Sequence, residues 1–183
     1  MAATKTPTYE QDGGLGISTL IEVDRNYLLA RALLRKALKK FPADHWLYSQ
    51  MSLSYALEKN FRKALHYTRT ALEMAPRCPL TLWYHACLLQ DLDQPREAVT
   101  IFTKLLRRGV AGIAGGQCGE GFRRAQGMVN DCRAKLAVLH WDAGKKRLAA
   151  RLFAEHLKFR RAGVQSVFTK RAVERMLAQV DAA

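Results

Sequence analysis

The chain has 183 residues, 49% of them hydrophobic, enough for one domain with a core and too apolar for general disorder. Lys and Arg outnumber Asp and Glu by 30 to 16, and a net charge of +14 on a small domain repels itself unless an acidic partner neutralises it. Uncharged runs such as residues 78–90 stop at 13, short of the roughly 20 apolar residues that span a bilayer, and the opening MAATKTPTYEQDGGLG lacks a basic stretch followed by an apolar one; no membrane partner and a cytoplasmic location are expected.

Residues 1–16 read as a flexible segment whose GGLG weakens the helix that follows. RNYLLARALLRKALKKFP (25–42) reads as a helix, and HWLYSQMSLSYALE after it places Tyr48, Met51 and Tyr55 at i, i+3 and i+7 of another. KNFRKALHYTRTALEMAP (59–76) repeats the first pattern. PLTLWYHACLLQDLD then puts Leu82, His85, Ala86 and Leu89 on one stripe, and QPREAVTIFTKLLRRG does the same with Ala98, Phe102 and Leu105. Residues 109–127 are glycine-rich. NDCRAKLAVLHWDAGKKRLAARLFAEHLKF (130–159) reads as a further pair, with Leu136 and Ala137 in its first helix and Ala149 and Phe153 in its second. SVFTKRAVERMLAQV closes the chain with Val173, Met176, Leu177 and Val180 on one stripe.

These segments repeat. Asn26 aligns with Asn60, Tyr27 with Phe61, Ala30 with Ala64, Ala37 with Ala71 and Pro42 with Pro76, each 34 residues apart, and another 34 lead from Ala64 to Ala98. From Ala98 to Ala149 is 51, one period and a half. Helix pairs at this period, with alanine at the close crossing and proline after the second helix, resemble the tetratricopeptide repeat (TPR) family. Tyr48, Met51, Ser52, Tyr55, Ala64, Ala71 and Pro76 carry the resemblance in one repeat, and Leu82, Ala86, Leu89, Ala98 and Phe102 in the next. It implies an all-α, right-handed helix-pair solenoid of about three TPR units plus a partial N-terminal repeat and a C-terminal helix. The expected organisation is an array over 17–108, an inserted loop at 109–127, a degenerate third full repeat at 128–162 and a capping helix at 163–183.

The loop AGIAGGQCGEGF invites sharper readings. Gly116 and Gly121 have the spacing of the two glycines of a phosphate-binding loop, but Phe122 and Arg123 stand where Lys and Ser or Thr are needed. The loop also follows a helix, where a phosphate cradle follows a strand. Cys118 has no histidine near it in sequence to act as a base. Cys78, Cys87, Cys118 and Cys132 are spaced 9, 31 and 14 apart and match no zinc ligand set. The five histidines are scattered, and no acidic pair stands where one carboxyl would raise the other's pKa. No catalytic residue, metal site or cofactor is expected, and the chain reads as a non-enzyme.

Binding remains. In the resembled family the first helix of each pair lines the concave groove, and that register selects Trp46, Gln50, Leu53, Trp83, Tyr84, Cys87, Gln90, Lys135 and Trp141. A row of aromatics suits an apolar peptide or helix of a partner protein, or is covered by the protein's own termini. Some relatives hold chaperone C-termini with cations on the first helices; between Asp44 and Asp91 this chain offers none there. The second helices carry Arg31, Arg35, Lys36, Lys39, Lys40, Arg62 and Lys63, and the last pair adds Lys145, Lys146, Arg147 and Arg151. The expected function is a scaffold or chaperone-like adaptor gripping a protein in the aromatic groove, its basic outer face meeting an acidic partner. The alternative is a nucleic-acid or ribosome-associated protein binding polyanions through that face.

Overall fold

The structure is a computed structural model describing residues 14–115 and 118–182; residues 1–13 of the expected flexible segment and 116–117 of the glycine stretch lie outside them. It is all-α, with no strand among the described residues. The elements are α1 (Gly14–Glu22), α2 (Tyr27–Lys40), α3 (His45–Leu57), α4 (Phe61–Met74), α5 (Pro79–Asp91), α6 (Pro95–Ala114), α7 (Phe122–Asp142), α8 (Lys146–Arg161) and α9 (Lys170–Ala182). The chain divides into two compact units, Met1–Asp93 and Gln94–Ala183.

In the first unit each helix packs on the next, and α1 and α5 also pack on α3. Side-chain caps explain where helices begin. Asn26 Oδ1 accepts from the Leu29 N–H at 3.2 Å, Asn60 Oδ1 from the Lys63 N–H at 3.4 Å, and Asp44 Oδ1 from the Trp46 N–H at 2.9 Å. The Asn26–Asn60 correspondence in the sequence is thus a repeated cap. Pro79 and Pro95 open α5 and α6, where a missing N–H costs nothing.

The turn between paired helices repeats too. Arg25, Lys59 and Asp93 hold left-handed φ of 52°, 59° and 56°, and Gly144 holds 73°. Their spacing is 34, 34 and 51 residues, the spacing of Ala30, Ala64, Ala98 and Ala149. Those four alanines are fully buried. The backbone therefore carries the period independently of the side chains, and the packing of consecutive helices is consistent with a helical repeat.

In the second unit α6 packs on α7, α7 on α8 and α8 on α9. Phe102, Leu105, Ile113, Leu136, Phe153 and Val173 fill its core. The segment read as a loop over 109–127 is helical at both ends. Gly109, at φ 68° and ψ 178°, breaks α6, after which one turn continues to Ala114, and α7 starts at Phe122. A Cβ on Gly119 would sit 2.5 Å from the Ala114 carbonyl oxygen, and the Gly121 N–H bonds that same oxygen at 3.3 Å. Glycine at 119 thus lets the backbone return tightly on itself. The helix expected from 163 begins at Lys170 and buries Val173 and Val180.

Candidate functional site

Helices α3 and α5 of the first unit were expected to form the groove wall, and they differ in how much of it they offer. Helix α3 is central, flanked by α1, α2, α4 and α5, and is buried almost all round. Trp46 and Gln50 are consequently 4% and 2% exposed. This corrects their assignment to an open wall: the protein's own chain covers both. The Gln50 Oε1 has no hydrogen-bond partner among the described residues. A buried bond of 2.8 Å between the Ser49 and Thr81 hydroxyls ties α3 to α5 and helps explain why this side of α3 is closed. Leu53 stays half-buried.

On α5, Trp83, Tyr84, Cys87 and Gln90 are all half-buried. Their spacing of i, i+1, i+4 and i+7 puts them on one side of the helix, beside the stripe of buried Leu82, Ala86 and Leu89. Neither α3 nor α5 contains Lys or Arg. In the second unit, Trp141 is half-buried near the end of α7, and half-buried Lys135 holds its ammonium 6.0 Å from the Phe168 ring centroid.

The basic residues divide similarly. Arg31 does not belong to an outer face: it is 5% exposed, and its guanidinium meets both Glu58 carboxylate oxygens at 2.7 and 3.1 Å. It also donates to the Ser54 carbonyl at 3.4 Å and lies 4.5 Å from the Tyr55 ring centroid. Its position beside Ala30 and Leu34 turns it inward, where a charge must be paired. The Arg31 hydrogen bond holds the Glu58 carboxyl below its ordinary pKa. Arg35, Lys36, Lys39, Lys40, Arg62 and Lys63 are exposed, with the Lys63 ammonium 5.3 Å from the Tyr55 ring. Lys145, Lys146, Arg147 and Arg151 are exposed in the second unit.

Two polar groupings escaped the sequence. In the first unit a His45 ring nitrogen and the Cys78 Sγ lie within 4.8 Å. Burial alone would push the Cys78 thiol up, but hydrogen bonding to His45 and Thr81 outweighs it and holds the thiol below its ordinary value. A base beside a thiol is the arrangement that activates cysteines, and both are ligand types for zinc; the thiol itself is buried. No periodicity signals this pair, since the two residues are 33 apart, His45 opening α3 and Cys78 standing just before α5.

In the second unit Asp131, His156 and Ser166 meet. The Ser166 hydroxyl donates to Asp131 Oδ1, the Val167 N–H donates to Asp131 Oδ2 at 3.1 Å, and the Phe168 N–H donates to Ser166 Oγ at 2.9 Å. His156 Nδ1 donates to the Asn130 carbonyl at 3.0 Å, leaving Nε2 3.5 Å from Ser166 Oγ. A nucleophilic triad needs histidine between serine and carboxylate. Here the serine proton already goes to the carboxylate, so the cluster fastens residues 166–168 to α7 and α8. Burial raises the Asp131 pKa and lowers that of His156. The expectation from the sequence concerns paired carboxyls only; the shift at Asp131 comes from burial, without a second acid. No protein-family model matches the chain, and no curated protein matches it either.

Proposed function

We infer that the protein is a non-catalytic, cytoplasmic adaptor of TPR type, the helix pairs of its first unit stacked with that family's right hand, and that it holds an apolar peptide or helix of a partner protein against α5. One observation carries this reading: Trp83, Tyr84, Cys87 and Gln90 share one incompletely buried strip, and neither α5 nor α3 beside it carries Lys or Arg. Large aromatic surface that is rigid and partly wet supplies contact area at low entropic cost. The burial of Trp46 and Gln50 narrows the binding strip to α5 with Leu53 beside it. A second reading, polyanion binding, is favoured by the exposed cations of both units.

The test is selection of displayed random peptides on the full-length protein. Apolar sequences should emerge, and Trp83→Ala should weaken their binding by about 2 kcal/mol with helicity unchanged. Selected peptides that bind the variant as tightly as the parent would sink the groove reading.

A further inference from the structure

Helix α2 buries Ala30, Arg31, Leu34 and Ala37 and turns its other side outward. The outward residues divide along the helix axis. The first two turns present Leu28, Leu29 and Leu33, which are 76%, 45% and 36% exposed, and the last two present Arg35, Lys36, Lys39 and Lys40, all exposed. Leu29, Leu33, Lys36 and Lys40 follow one another at i, i+4, i+7 and i+11 down a single stripe. A single exposed leucine is ordinary; three on one face, running directly into four cations, are a pattern. Nothing about helix formation asks for it, because Ala, Glu or Gln serve the helix as well. Nor is it a by-product of general basicity. Residues 1–93 hold 12 Lys and Arg against 9 Asp and Glu, a net charge of only +3, so the cluster on α2 is local.

We propose that this face of α2 docks an acidic, amphipathic helix of another protein, apolar where it meets the leucines and carboxylate-bearing where it meets the cations. The chemistry excludes the other occupants. A second copy of the chain docked parallel sets cation against cation, and docked antiparallel sets leucine against lysine. A nucleic acid would use the cations and leave the leucines wet, and no aromatic on this face is there to stack a base. A helix lying in a membrane surface separates its apolar and cationic residues around the helix, whereas here they share one side. The partner's direction follows as well. Antiparallel docking places its acidic half first in its own sequence, where the positive end of its dipole favours Glu and Asp, just as Lys39 and Lys40 suit the last turn of α2. The site uses no residue of α3 or α5 and stands independently of the groove reading.

The probe is a labelled designed helix whose one face carries glutamates over its first two turns and leucines over the next two, titrated into the full-length protein. It should bind, and more tightly than a peptide with the two halves exchanged. Leu28→Ser with Leu29→Ser and Leu33→Ser, and separately Lys36→Glu with Lys39→Glu and Lys40→Glu, should each weaken it by roughly tenfold or more. Leu28→Ser alone, at the most exposed of these positions, should still weaken it measurably if the triple variant loses helicity. The proposal is overturned if the probe does not bind, if the leucine variants bind it unchanged, or if Trp83→Ala abolishes binding instead. It is equally overturned if the leucines prove to drive self-association in sedimentation, or adsorption to phosphatidylserine–phosphatidylcholine vesicles.

Discussion

At the scale of single residues, the Arg31–Glu58 pair separates what a charge does from where it sits. The Arg31 side chain is 6% exposed and that of Glu58 is 36% exposed, so the two partners respond differently to loss of the other. Glu58→Ala strands a buried guanidinium with one carbonyl and one ring for company, and we expect it to cost about 1–3 kcal/mol in urea unfolding. Arg31→Met leaves a carboxylate that water can reach and an apolar chain of similar length, and should cost about 1 kcal/mol or less. A larger cost for Arg31→Met would contradict the assigned burial. The pH dependence has a definite sign. Because the folded Glu58 pKa is lowered, the pair's contribution is complete above the unfolded carboxyl value of about 4.3 and is lost as pH falls through the folded value. The gap between parent and Glu58→Gln should therefore narrow on acidification. In the sequence Arg31 carries the same weight as Arg35, since both sit on a basic helix. Only the register against α3 tells them apart, and Glu58, 27 residues away, offers no local signal.

At the scale of elements, legibility follows chemistry that repeats. Ala30, Ala64, Ala98 and Ala149 are readable because a small residue recurs at the repeat spacing where the site is fully buried, and the repeated asparagine caps are readable because few side chains can accept from a helix's first N–H groups. The left-handed turn residue is not, since Arg25, Lys59 and Asp93 fill a conformation that glycine usually marks and only Gly144 announces it. The start of α7 is hidden for the opposite reason: its glycine-rich approach resembles a loop, yet the helix starts directly after Gly121. The burial of Trp46 and Gln50 is hidden because α3 is covered on several sides, and a helix apolar all round has no periodicity from which to read an open face. The α3–α4 crossing supplies the element-scale prediction. Ala64 is fully buried, and its carbonyl accepts from the Ser52 hydroxyl at 2.8 Å. Ala64→Leu forces the helices apart and stretches that bond, at a cost of about 1–3 kcal/mol. Ala56→Leu, the same change at a half-buried site near the end of α3, should cost less than about 1 kcal/mol, so equal melting shifts for the two variants would show that no tight crossing exists at 64.

At the scale of the whole molecule, the positive charge is unevenly shared. The first unit holds 12 Lys and Arg against 9 Asp and Glu, whereas residues 94–183 hold 18 against 7, so +11 of the total +14 lies in the second unit. Exposed cations bind a flexible polyanion by releasing its counterions, and the number of phosphates met sets how steeply affinity falls with salt. Weak, sequence-independent binding to a single strand should therefore be governed by the second unit, where Lys145, Lys146, Arg147 and Arg151 stand on and just before α8. Arg151 has Glu155 3.9 Å away. Replacing the four by Gln should reduce the slope of log affinity against log salt for a labelled oligothymidylate by up to about 3, at roughly 0.7 for each phosphate no longer neutralised. Replacing Arg35, Lys36, Lys39 and Lys40 by Gln removes as many charges from a unit of net +3 and should reduce the slope less. Equal reductions would mean that local clusters, and not the charge of the unit, set the affinity. A slope of zero in the parent would remove polyanion binding altogether and leave proteins as the only partners of both basic surfaces.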